Sequence, residues 1–105
     1  MTSTIDISKF VLYNFTTTII TVSNWYNVLP LCNGFTVTNI GNTIVMVNDQ
    51  IFYPGTPGTN LGDSRSFGGN QGEVYRGVIK VAFQQPLGNN PAIELVQKTY
   101  AQSHR

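Results

Sequence analysis

The sequence predicts an all-β fold: a single-domain antiparallel β-sandwich, or small jelly-roll-like domain, of about seven or eight short strands. Three observations carry that prediction. Turn signals of two residues each, Asn33-Gly34, Gly41-Asn42 and Asn48-Asp49, fall within 17 residues, between runs rich in Val, Ile, Thr and Phe. Asn-Gly tolerates φ > 0 at both central positions, which suits the right-handed twist of paired strands, so the reading there is a tight antiparallel meander. Residues 73–84 alternate, with Tyr75, Ile79, Val81 and Phe83 on one side and Arg76, Lys80 and Gln84 on the other. No useful length of chain carries the 3.6-residue apolar period of a helix.

The elements follow in order. Residues 1–9 read as a polar arm, flexible or docked on a partner, ahead of a domain over 10–100 and a loose tail over 101–105. Residues 10–15 are apolar and aromatic, and residues 16–23 are β-branched at seven of eight positions, which favours strand over helix. Residues 24–27 read as a connection carrying the only Trp, Trp25. Pro30 cannot donate to a ladder, so its segment belongs at an edge or bulge. The meander then runs through residues 35–40, 44–47 and 50–53. Residues 54–72 hold two Pro and six Gly and form the longest loop, with Phe67 as an anchor and a short strand expected near residues 64–67. A Gly-, Asn- and Pro-rich turn at 85–91 precedes a final strand over 92–100.

At 105 residues the chain suffices for one core. Charged residues make up 10%, against about 25% in ordinary soluble domains. Polarity comes instead from 12 Thr, 11 Asn, 6 Ser and 6 Gln, and the formal net charge is +1. So little charge gives weak protection against association, which suits a surface covered by neighbours; an extracellular β-domain that tolerates low charge is the alternative. The basic residues Lys9, Arg65, Arg76, Lys80, Lys98 and Arg105 never cluster, which argues against nucleic acid as a partner. Cys32 is the only cysteine, so no disulfide forms within the chain. No apolar run approaches the ~20 residues a membrane helix needs, and residues 1–9 lack the character of a leader, so synthesis in a cytosol is the expectation.

Reactive chemistry is sparse. His104, the only histidine, sits in the tail, where a general base would not be held in place. Cys32 has no positioned base, and Asp49, Asp63, Glu73 and Glu94 are dispersed along the chain. The Gly-rich loop lacks the Lys-Ser/Thr pair of a phosphate cradle, and Asp63 with Asn60 is thin for calcium. The expectation is therefore no enzyme, no cofactor and no metal. Trp25, Tyr26, Phe52 and Tyr53 lie beside loops; with Asn60 and Asp63 they are the candidate interface or glycan surface, against the alternative of plain core packing.

The segments Phe35-Thr36-Val37-Thr38-Asn39, Val47-Asn48-Asp49, Tyr53-Pro54-Gly55, Ser66-Phe67-Gly68-Gly69-Asn70 and Glu94-Leu95-Val96-Gln97-Lys98-Thr99-Tyr100 resemble the small all-β virion proteins of bacteriophages. The loop over residues 56–63 is longer than the short turn expected there. The resemblance implies a structural role as a capsid decoration, vertex, head-fibre or tail-associated subunit. It also implies self-association, with a trimer as the expected stoichiometry, contacts to other virion proteins, and assembly in the host bacterial cytoplasm. A carbohydrate-binding module or lectin-like receptor-binding domain is the alternative, with host surface glycans as its ligand.

Overall fold

The computed structural model describes residues 12–56 and 62–101, which form eight strands and no helix. They are β1 (Tyr13–Ile20), β2 (Asn24–Asn27), β3 (Cys32–Asn39), β4 (Val45–Val47), β5 (Gln50–Phe52), β6 (Ser64–Gly68), β7 (Val78–Phe83) and β8 (Ile93–Tyr100). One sheet has the order β1-β8-β3-β6 and the other β2-β7-β4-β5, with every described pair antiparallel. Strands pair from the outside of the chain inward: β1 with β8, β2 with β7, β3 with β6, β4 with β5. This is a long hairpin with its tip at β4–β5, rolled so that its two arms land alternately in the two sheets. That strand order is the eight-stranded jelly roll, and the expected fold class holds.

Alternation places the core between the sheets. Ile20, Cys32, Phe35, Val37, Ile93 and Leu95 face inward from the first sheet; Val45, Val47, Phe52, Ile79, Val81 and Phe83 meet them from the second. The regular pattern of 78–83 is legible in its burial, with Ile79, Val81 and Phe83 buried between exposed or half-buried neighbours. Residues 73–77 do not extend that strand: Gly77 takes φ 111°, a left-handed geometry that ends the ladder.

The meander is corrected. β3 and β4, consecutive in the chain, lie in different sheets, and only the β4–β5 connection stays within one sheet. Asn48 and Asp49 do form a two-residue turn there, with φ of 48° and 67°. Asn33-Gly34 is not a turn. It lies inside β3, where the register with β8 shifts between Cys32 and Gly34. The buried Asn33 amide donates to the carbonyls of Asn70 and Glu73 at 2.8 and 3.0 Å, and that pull on the loop stands in place of a hairpin. A side chain at Gly34 would strike the backbone of Phe67 and Gly69 within 2.6 Å. Gly41-Asn42 belongs to the crossing from β3 to β4. There the Asn39 amide donates to the carbonyls of Thr43 and Phe52 and accepts from Gly41 N–H, tying both sheets to one side chain.

Other expectations sort cleanly. Residues 24–27 are strand rather than connection, and the 64–67 strand forms as β6. Pro30 lies in a turn just ahead of β3, next to Leu31 at φ 58°. The arm over 1–9, Asn60, and His104 in the tail lie outside the described residues.

Candidate functional site

Of the six residues nominated from sequence, the five that are described do not form one surface. Trp25 and Tyr26 are neighbours on β2, so the strand period points them to opposite faces. Tyr26, level with Ile79, turns inward, packs on the core and donates its hydroxyl to the Val22 carbonyl at 2.6 Å. Trp25 turns outward and is 64% exposed, with Lys80 Nζ 5.7 Å from its ring centre. Phe52, nominated as surface, is fully buried: from β5 it opposes Val45 of β4 and fills the core, so the core-packing reading applies to it. Tyr53 follows it and is exposed.

Trp25 and Tyr53 belong to opposite edges of their sheet, three strand spacings or at least about 14 Å apart. A platform built from both is not assembled. Asp63 has a local structural role. Its carboxylate accepts from Tyr53 N–H at 2.9 Å, its own N–H donates to the Tyr53 carbonyl at 2.9 Å, and Arg65 lies 3.9 Å away. Arg65 in turn donates to the Ile51 carbonyl and lies over the Phe52 ring at 4.5 Å. These contacts hold the end of β5 to the start of β6. Among the described residues no three His, Cys, Asp or Glu gather closely enough to hold a metal ion.

The outer face of the first sheet is organised in rows set by register. One row runs Phe15, Lys98, Gly34, Gly68; the next runs Thr17, Val96, Thr36, Ser66; a third runs Ile19, Glu94, Thr38, Ser64. The two facing glycines leave a shallow groove of about 240 Å³, walled by Phe15, Thr36, Ser66 and Lys98. Hydroxyl pairs Thr36–Ser66 and Thr38–Ser64, each 2.8 Å apart, line the β3–β6 half. On β1 two apolar side chains stand out of this face, Phe15 66% and Ile19 52% exposed, with Thr17 between them.

The protein-family models, curated proteins and solved structures compared with this chain include no match.

β1 presents a sheet edge that the sequence reading does not single out. It pairs with β8 through all eight residues without a bulge, and among the described residues nothing pairs on its other side. Sequence held a usable signal, because residues 13–20 contain no charge, Pro or Gly to blunt an exposed edge. Two buried polar features complete the inventory. Asn33 Oδ1 is buried without a hydrogen-bond partner among the described residues, beside a Tyr100 hydroxyl that contacts its Nδ2 at 3.0 Å and donates to the Glu73 carbonyl at 2.7 Å. Cys32 is buried and donates to the Gly34 carbonyl at 3.3 Å; burial pushes its thiol pKa up, against a smaller opposing effect of that hydrogen bond. A buried, protonated thiol is a poor nucleophile.

Proposed function

We propose that this chain is a non-enzymatic structural subunit of a bacteriophage virion, working through contacts with other copies of itself and with capsid proteins. The observation that carries the reading is the surface. Apolar side chains stand on the outer faces of both sheets, Phe15 and Ile19 on one, Trp25 and Ile51 on the other, over a chain that is only 10% charged. Exposed apolar groups grouped on a face favour association over solvation. The virion assignment, with its trimer and its assembly in the bacterial cytoplasm, rests on the resemblance of the segments quoted above. The jelly roll hosts both viral capsid and lectin domains, so the fold is compatible with either reading and decides neither.

The non-enzymatic part rests on how the titratable groups are dispersed. Asp49 pairs loosely with Lys80 at a turn, Asp63 binds the Tyr53 backbone, and Cys32 is enclosed. The carbohydrate reading draws less support, because Trp25 and Tyr53 belong to opposite edges and Tyr26 packs inward.

Multi-angle light scattering at micromolar concentration, paired with co-sedimentation on purified capsids, tests the proposal. An oligomer that binds capsids is the expected result. A strict monomer that binds none overturns it. Saturable binding on a glycan array, lost in Trp25→Ala, would move the assignment to the carbohydrate-binding alternative.

A further inference from the structure

Antiparallel pairing alternates which residues turn their backbone groups toward a given neighbour. Ala101 N–H donates to the Leu12 carbonyl at 2.9 Å, one step beyond the Tyr13–Tyr100 pair, so the even residues of β1 bond to β8. The N–H and C=O groups of Tyr13, Phe15, Thr17 and Ile19 therefore point to the other edge, which is open among the described residues. Other edges are shorter: β2 has four residues, β5 three, and β6 five with Arg65 at its second position. Charge, Pro and bulges are the usual protections of an edge, and the eight residues of β1 carry none of them.

We propose that β1 is the dimer seam, where a second copy of this chain adds its own β1 antiparallel across a two-fold axis perpendicular to the sheet. This rests on the self-association in the preceding reading and names its surface; a two-fold seam closes as a dimer, so it takes the place of the trimer that the resemblance implies. Such an axis keeps outer faces together, so odd residues must oppose odd ones. The register that satisfies all eight open groups centres on Thr16, pairing Tyr13 with Ile19 and Phe15 with Thr17 of the second copy. On the outer face these are aromatic–β-branched pairs, a favourable cross-strand combination. On the inner face Asn14 meets Thr18 and Thr16 meets Thr16, polar against polar. Asn14, Thr16 and Thr18 are exposed although they face inward, so β1 overhangs the second sheet and that sheet does not block approach. The nearest charges on the outer face, Lys98 and Glu94, stay one strand back in each copy, and no like charges are brought together. The second copy is the occupant that matches this pattern to itself; the result is one continuous eight-stranded sheet.

The register makes a sharp test on the full chain. At the centre of the seam Thr16 forms a non-hydrogen-bonded pair with its own copy, with Cα atoms about 4.5 Å apart, within disulfide range. Thr16→Cys should give a covalent dimer on mild oxidation, while Thr18→Cys, which faces Asn14 of the second copy, should not. Native Cys32 is buried and does not compete. Thr17→Pro removes an open-edge N–H without touching the β8 ladder, and should weaken the dimer at least about tenfold in sedimentation velocity with unchanged circular dichroism. Thr17→Lys serves if that variant misfolds. An oligomer unaffected by these changes, with no Thr16→Cys cross-link, overturns the seam but leaves the assembly reading standing. A wild-type monomer that also ignores capsids overturns both.

Discussion

Phe35 and Phe67 stack 4.9 Å apart across the β3–β6 pair, with their planes within 18°, and Tyr75 meets the edge of Phe35 at the same distance. The stack joins a buried ring to a half-buried one at the edge of the first sheet. Phe35→Ala should cost about 3–5 kcal/mol in urea unfolding, and Phe67→Ala about 2 kcal/mol because part of its surface is already wet. A double-mutant cycle should return a coupling of about 0.5–1.5 kcal/mol. Additive losses would mean the stacking contributes only area.

Asn39 holds the crossing between the sheets by three hydrogen bonds, two given and one received. Asn39→Ala leaves the Thr43 and Phe52 carbonyls without that donor and should destabilise by about 2–4 kcal/mol. Asn39→Asp should be worse at pH 7 than at pH 4. Burial beside two carbonyls raises the folded pKa of the introduced carboxyl above its unfolded value of about 3.9. The raised value means the variant is least impaired in acid, and stability is lost as pH climbs through the folded pKa. Urea melts at the two pH values, each against wild type, check the sign.

Asp49 takes φ 67° at the second central position of the β4–β5 turn, a geometry glycine adopts without a side-chain penalty. Its carboxylate lies 3.9 Å from Lys80 but is largely exposed, so little is lost with it. Asp49→Gly should therefore raise stability by about 0.5–1 kcal/mol, or roughly 2–6 °C in melting temperature. Thermal unfolding followed by circular dichroism would register the shift.

Cys32 should resist a disulfide-exchange reagent at pH 8 in the native state and react at once in denaturant. Its folded pKa is raised, so the unfolded chain ionises first as pH rises past about 8.5. Thiolate formation then favours unfolding, and the Cys32-dependent part of stability declines above that pH. Comparing urea midpoints of wild type and Cys32→Ala between pH 7 and pH 10 isolates it. Fast native labelling would show the site opens readily.

The strands were legible where one face is wet and the other buried. Residues 79, 81 and 83 alternate as the pattern required, and Asn48-Asp49 turns as its residue types suggest. Asn33-Gly34 misled because its preference for left-handed geometry is a local property, while the bonds from Asn33 to Asn70 and Glu73 reach across about forty residues. Residues 24–27 hid their strand for a related reason, since their pairing depends wholly on β7. For the candidate surface, exposure depends on which sheet face a residue takes, and neighbouring aromatics look alike in sequence. Trp25 and Phe52 differ only by that placement.

The rolled hairpin also sets an order of events. β8 is the last of the described strands yet stands second in its sheet, between β1 and β3. Until its residues emerge from the ribosome, those two strands lack the ladder that joins them, and only the β4–β5 tip can pair with a near neighbour. A nascent chain halted before residue 93 would expose apolar strand edges on both, a hazard for clumping that β8 covers on one side of each in the finished molecule.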